Sequence, residues 1–275
     1  MSTLTAALQT FINQSVSLVT KTKAIALALP PNTAQVWPGG AKFSTIQAAI
    51  DSITGASQQE QYQVAVGSGT YNENVVMKDY VYVIGSGQDV TIITAQPQQS
   101  NANGVVNSAS GGGISELTIN APGAAWGSWP AGIKICGSGN FHISGVTINS
   151  GAGSTGDNVR GITNNTGSYT GNIILGQSIL NLTGDNQSAC VGLELFGTSF
   201  GGSSLTVLIN LCTIQATGGS QNYGVSTAIG ASVTIDDSKI IAATFALNNS
   251  DGGSPITANQ CTIDGPVSSG VVVNN

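Results

Sequence analysis

The chain has 275 residues, of which only 7% are charged and 37 are glycine. Seven Lys and Arg stand against thirteen Asp and Glu, so there is no basic footprint and nucleic acid is excluded as a partner. No apolar run approaches the roughly 18 residues that cross a bilayer, which argues against membrane insertion.

Residues 1–29 place Leu4, Leu8, Phe11, Ile12, Val16 and Val19 at helical spacing, and Pro30-Pro31 then breaks the pattern. The spacing predicts an appended helix, and residues 1–40 are read as an attachment or oligomer segment before a main domain over residues 41–275. Such a segment leaves a homo-oligomer open, a trimer if the assembly is tail-spike-like. Lys21 and Lys23 follow the apolar residues instead of preceding them, so no signal-peptide layout is visible. An extracellular or virion-associated protein would then have lost a leader or left the cell by lysis.

Phe43-Ser44-Thr45-Ile46-Gln47 reads as a capping box, with Ser44 at the N-cap and Gln47 reaching back. Ile46, Ile50 and Ile53 share one face of the helix that follows, which should plug the open end of the domain behind it. Next come Gly69-Thr70-Tyr71-Asn72-Glu73-Asn74-Val75 and Ile84-Gly85-Ser86-Gly87-Gln88-Asp89-Val90-Thr91-Ile92-Ile93.

This order resembles the opening coils of pectin methylesterases and, more broadly, of the pectin-lyase-like right-handed β-helix superfamily. The resemblance covers residues 41–95. It implies a fold, with Gly69, Tyr71 and Glu73 matching the family's pattern and Glu73 ordering the first coil. The family's chemistry comes from later Gln-Ala-Val, Gln-Asp-Thr, Asp-Phe-Ile-Phe-Gly and Leu-Gly-Arg-Pro-Trp segments, and none of these is spelled here. Residues 131–135, Ala-Gly-Ile-Lys-Ile, would occupy the Gln-Ala-Val coil without its Gln, and no Asp precedes Val191-Gly192-Leu193.

From residue 114 onward one hexad recurs, opening apolar and closing with Ile: 114–119, 143–148, 174–179, 209–214, 235–240 and 258–263. Between the hexads runs a Gly-apolar pair: Gly104-Val105, Gly132-Ile133, Gly161-Ile162, Gly192-Leu193, Gly224-Val225 and Gly270-Val271, with Ala246-Leu247 standing in for one copy. Two interleaved ladders of short β-branched runs, separated by Gly, Ser and Asn, mean at least two strands per coil. The predicted fold is all-β, a single-stranded right-handed parallel β-helix with an N-terminal capping helix.

Cys212 and Cys261 fall two coils apart, about 10 Å by strand spacing, too far for a disulfide. Reduced, packed thiols are expected. The absence of CxxC or CxxH spacing argues against a metal site, and no cofactor is implied.

Strand alternation puts Val106, Lys134, Thr163, Glu194, Ser226, Asn248 and Val272 in one external row. Long connections before this ladder carry Trp126 and Trp129, Asp157 and Arg160, Asp185, and finally Tyr223. Together they could wall a groove in which Trp126, Trp129 and Tyr223 stack on sugar rings. Asp157, Asp185 and Glu194 are the carboxylates available to a glycoside hydrolase, and Lys134 and Arg160 the cations available to a uronate lyase. Against these stand ordinary roles: Asp in turns, an Asp157–Arg160 local ion pair, His142 as a solvated histidine and Asp236-Asp237 as a hydrated corner. The resulting expectation is a carbohydrate-recognising β-helix whose partner is a polysaccharide or glycan, an adhesin or phage tail-spike-like receptor-binding module. A polysaccharide-degrading lyase or hydrolase is the alternative, and a structural rod the third reading.

Overall fold

The computed structural model describes residues 32–39, 42–96, 104–123, 131–151, 158–164, 169–185, 187, 189–196, 205–228, 230–250 and 255–275. The helix expected over residues 1–29 lies outside them, as do Trp126, Trp129 and Asp157. Residues 34–275 form one compact unit.

Successive coils pair in parallel, as a solenoid requires. Among the described residues a 16-stranded sheet contains two ladders, which merge through the long strands Gly113–Ala121 and Ser138–Gly151, and a separate sheet has seven strands. The first ladder stacks Val83, Ile114, Ile143, Leu175, Ile209, Ile235 and Ala258 in one file. The second stacks Ile93, Ile119, Ile148, Leu180, Ile214 and Ile240. All these side chains are buried, and each Val, Leu and Ile contributes about 1.5–3 kcal/mol before conformational entropy is set against it.

The hexad frame holds in every coil but one. In the third, Leu175 and Leu180 occupy the inward files, and Ile179 is exposed, paired with Thr147 and Thr213. Ile174-Leu175 and Ile179-Leu180 are apolar in both frames, so composition could not choose between them, and a one-residue slip exchanges the faces.

Each hexad bends at its third residue, counted in the third coil from Leu175. Glu116, Gln177, Leu211, Asp237 and Gln260 have φ between 48° and 56°, and Gly145 takes the position in its coil at 61°. This left-handed corner turns the fourth residue inward and leaves the second residue's carbonyl near it. Ser178 and Ser238 hydroxyls donate to the carbonyls of Gly176 and Asp236 at 2.8 and 2.7 Å, and the Cys212 and Cys261 thiols do the same to Asn210 and Asn259 at 3.2 and 3.1 Å. The small hydroxyl or thiol finds a local acceptor at the corner, and at Asn210, Asp236 and Asn259 it adds to a backbone N–H from the preceding coil that the same carbonyl already accepts. The four cysteines are free thiols, as expected.

Helix α1 (Ile46–Ser52) covers the first coil with Ile46, Ala49 and Ile50 buried. Its cap differs from the predicted box. Thr45, one residue later than expected, is the N-cap and accepts from the Ala48 N–H at 3.2 Å, while Gln47 turns away to accept from the Val76 N–H at 2.8 Å. The role foreseen for Gln47 passes to Glu73, whose two carboxylate oxygens accept the Ile46 and Gln47 N–H groups at 2.8 and 2.9 Å. An acid from a neighbouring coil meets the positive end of the helix and ties it to the solenoid. Tyr71 braces the same corner, its hydroxyl donating to the Gly67 carbonyl at 2.9 Å.

Candidate active site

The seven-stranded sheet is built on the Gly-apolar pair. A Cβ on Gly132 would stand 2.3 Å from Ile148 Cγ2, one on Gly192 2.3 Å from Ile214 Cγ2, and one on Gly224 2.3 Å from Ile240 Cγ2. Glycine is therefore required at these three crossings of the closing file of the hexads, while Ala246 takes the equivalent place in the following coil. The following apolar residue, Ile133, Ile162, Leu193 or Val225, fills the core.

The residues flanking this pair form two rows. One carries Ala131, Arg160, Val191, Tyr223 and Phe245; the other carries Asn107, Lys134, Thr163, Glu194, Ser226 and Asn248. The ends of the predicted row shift. Val106 is buried and pairs with Ile133, so Asn107 holds its place, while Gly270-Val271 is no rung of this ladder: Val271 and Val272 lie on the larger sheet beside Ile256 and Thr257.

The charged residues come together at the middle coils. Arg160 forms an ion pair with Glu194 on the next coil: Nε donates to Oε2, and Nη2 donates to Oε1 at 3.1 Å. The Thr163 hydroxyl donates to the same Oε2 at 3.1 Å. Lys134 is in register with Thr163, and Thr163 with Glu194, so one hydroxyl separates an ammonium from a carboxylate along the row. Arg160, Thr163 and Lys134 are all buried, and the Glu194 side chain is 14% exposed. Beyond them Asn248 donates to the Ser226 hydroxyl at 3.1 Å, and the Asn164 side chain clamps the Phe196 backbone, its Nδ2 donating at 2.6 Å and its Oδ1 accepting at 2.8 Å.

The sequence pattern offered Asp157 to Arg160. Asp157 lies outside the described residues; among those described Arg160 pairs with Glu194, which chain proximity could not reveal because the two flank the Gly-apolar pair on opposite sides in different coils. Asp185 is half-buried in the turn before the strand Ala189–Phe196, and its Oδ1 accepts the Gln187 N–H at 3.0 Å. Burial, and secondarily the Asp185 charge, push the neighbouring Cys190 thiol up to about 11. Tyr223 stacks on Phe245 with ring centroids 6.3 Å apart, its hydroxyl donating to Gln221 Oε1 at 3.2 Å. Asp237 takes a left-handed corner, and Asp236 accepts from Asn259 Nδ2 at 2.7 Å. No cluster of metal-ligating side chains occurs among the described residues.

Residues 34–117 match the family model described as Pectinesterase. Two Arabidopsis thaliana proteins, "Probable pectinesterase/pectinesterase inhibitor 19" and "Probable pectinesterase 30", are each 38% identical over 74 residues, 26% of this chain. The chain spans 14% and 15% of their lengths. Among solved structures, the pectin methylesterase from carrot superposes with a TM-score of 0.53 at 15% identity, over 89% of this chain and 86% of that one. The Aspergillus niger pectin methylesterase gives 0.51 at 16%, over 86% and 87%. These findings correct the expectation of a recognition module of the adhesin or tail-spike kind, because the sequence match in the first coils is to carbohydrate-active esterases and nothing in it points to a non-catalytic binder. The solenoid is a pectin-lyase-like right-handed parallel β-helix of the kind found in pectin methylesterases, with pectinesterase likeness in its opening coils and none of the esterase motifs on its later ones.

Proposed function

We propose that the protein is a carbohydrate-active enzyme of the pectinesterase type, hydrolysing an ester on a uronate-containing polysaccharide from the outer face of the seven-stranded sheet. The observation that carries this reading is the row Lys134, Thr163 and Glu194 with Arg160 bonded to the Glu194 carboxylate. The match over residues 34–117 supports it from the sequence side.

Ester hydrolysis needs a group to activate or supply the nucleophile and a positive charge for the developing oxyanion. Glu194 is the carboxylate for the first task, aimed by Arg160 and Thr163. Lys134 is the cation for the second, and about 10 Å of strand spacing separates its backbone from that of Glu194. A uronate carboxylate would find the same cation. Trp126, Trp129 and Tyr223 are proposed as stacking surfaces for neighbouring sugar rings, and Asp157 as a second acid. Asp185 stays a lesser candidate, its carboxylate already holding a turn.

The test is an assay of methyl-esterified galacturonan for methanol, new reducing ends and unsaturated ends. Methanol release that falls about 10²–10⁴-fold in Glu194→Gln supports the reading. Reducing or unsaturated ends without methanol would assign a hydrolase or lyase instead, and no product at all from folded protein would overturn the enzymatic reading.

A further inference from the structure

The outer face of the larger sheet carries a cleft of about 440 Å³ whose walls include Gln58, Gln61, Tyr80, Tyr82, Asn140 and His142. It lies on a different sheet from the Arg160–Glu194 pair. Tyr82 and His142 sit on the strands either side of Gly113 and in register with it. A Cβ on Gly113 would come within 3.0 Å of Tyr82 Cδ1 and 3.1 Å of His142 Cβ. Bare backbone therefore lets the two rings converge, with centroids 6.4 Å apart and planes tilted by 41°. Tyr80 joins them from a left-handed backbone, φ 58°, with its ring against Gly111, where a Cβ would strike ring carbons at 2.6 and 2.7 Å. A non-glycine residue in that region is uncommon and bears a cost in strain. Two glycines and one strained residue together lay out three ring surfaces around one hollow.

Most side-chain polar groups of the cleft are unspent, although the Ser110 hydroxyl accepts the Ser138 N–H at 3.0 Å. Asn140 Oδ1 accepts from Asn172 Nδ2 at 2.9 Å, which leaves the Asn140 NH₂ as a donor. The side chains of Gln58, Gln61, Tyr80, Tyr82 and His142 make no hydrogen bond or ion pair among the described residues. Among the described residues no Lys, Arg, Asp or Glu lines the cleft, and Asp79 next to Tyr80 is engaged by the Ser110 N–H at 2.8 Å.

We propose that this cleft is a second carbohydrate site, selective for an uncharged oligosaccharide. Aromatic faces suit the C–H surfaces of sugar rings, and amide and hydroxyl groups suit their hydroxyls. The lack of a cation in the lining disfavours a uronate, whose carboxylate would meet no countercharge. The site would hold a neutral glycan segment while the other sheet faces the charged one.

The experiment titrates hexasaccharides of glucose, xylose, mannose and galactose, with oligogalacturonide as the charged comparison, into the full chain by calorimetry. At least one neutral hexasaccharide binds, and Tyr82→Ala weakens it by roughly tenfold, the scale of one lost stacking contact. Tyr82→Phe, which keeps the ring, restores binding and controls for folding. No binding of any neutral hexasaccharide overturns the proposal, as does tighter binding of oligogalacturonide. Weakening by Glu194→Gln and not by Tyr82→Ala would move the sugar to the other sheet and also overturn it. Methanol release reads the seven-stranded sheet and the titration reads this cleft, so either proposal can fail alone.

Discussion

Arg160 and Glu194, on neighbouring coils, close a two-pronged ion pair with side chains only 4% and 14% exposed. Removing one partner leaves the other charged and poorly solvated. Arg160→Met is expected to destabilise the fold by about 3–5 kcal/mol, while the double variant Arg160→Met/Glu194→Leu recovers most of that loss. Urea unfolding of the two single variants and the double variant measures the coupling, and strictly additive losses would show that the pair is not a unit.

The close crossing of the sheets predicts sharply different costs for glycine replacement. Gly192→Ala places a methyl 2.3 Å from Ile214 Cγ2 and 2.4 Å from the Gly224 carbonyl oxygen, and should cost about 1–3 kcal/mol by overpacking. Gly151→Ala meets nothing among the described residues nearer than the Thr183 carbonyl oxygen at 4.0 Å and should change stability by about 0.5 kcal/mol or less. Equal unfolding midpoints for the two variants would contradict the packing argument.

Glu73 holds α1 from another coil, so Glu73→Ala should lower stability by about 1–2 kcal/mol through lost capping. The effect should be local. Hydrogen exchange should quicken first at the α1 amides, and unchanged protection there would remove the capping role.

Alkaline pH should weaken the fold. Burial pushes the Cys190 thiol from 9.0 up to about 11 and the Tyr169 hydroxyl from 10.0 up to about 12. Both groups hold their protons more tightly folded than unfolded. The stability they confer is complete below the unfolded values and is lost as pH climbs through the folded ones. Melting temperature should fall from about pH 9 to pH 12, less steeply at the upper end in Tyr169→Phe and at the lower end in Cys190→Ala. An identical slope in the double variant would assign the fall to other groups.

The repeat was legible because a β-helix writes its core locally. Inward residues recur within each hexad, and stacking places like on like, so Ile114, Ile143, Ile209 and Ile235 align from pattern alone. The legibility ends where the local pattern is degenerate, as at Ile174-Leu175, or where a contact crosses coils, as when Glu73 replaces Gln47 at the head of α1.

The candidate site shows the same division. Lys134, Thr163 and Glu194 could be placed in one row by counting from the Gly-apolar pair, but Arg160 could not be joined to them. Its partner is 34 residues away, across a connection whose length sets no register. The amino-acid order alone therefore settled the solenoid and its capping helix, since each follows from short-range alternation or spacing. Which charges meet, and where Tyr82 and His142 converge over Gly113, needed the folded coils, because hydrogen bonds between parallel strands fix the lateral register that chain distance leaves open.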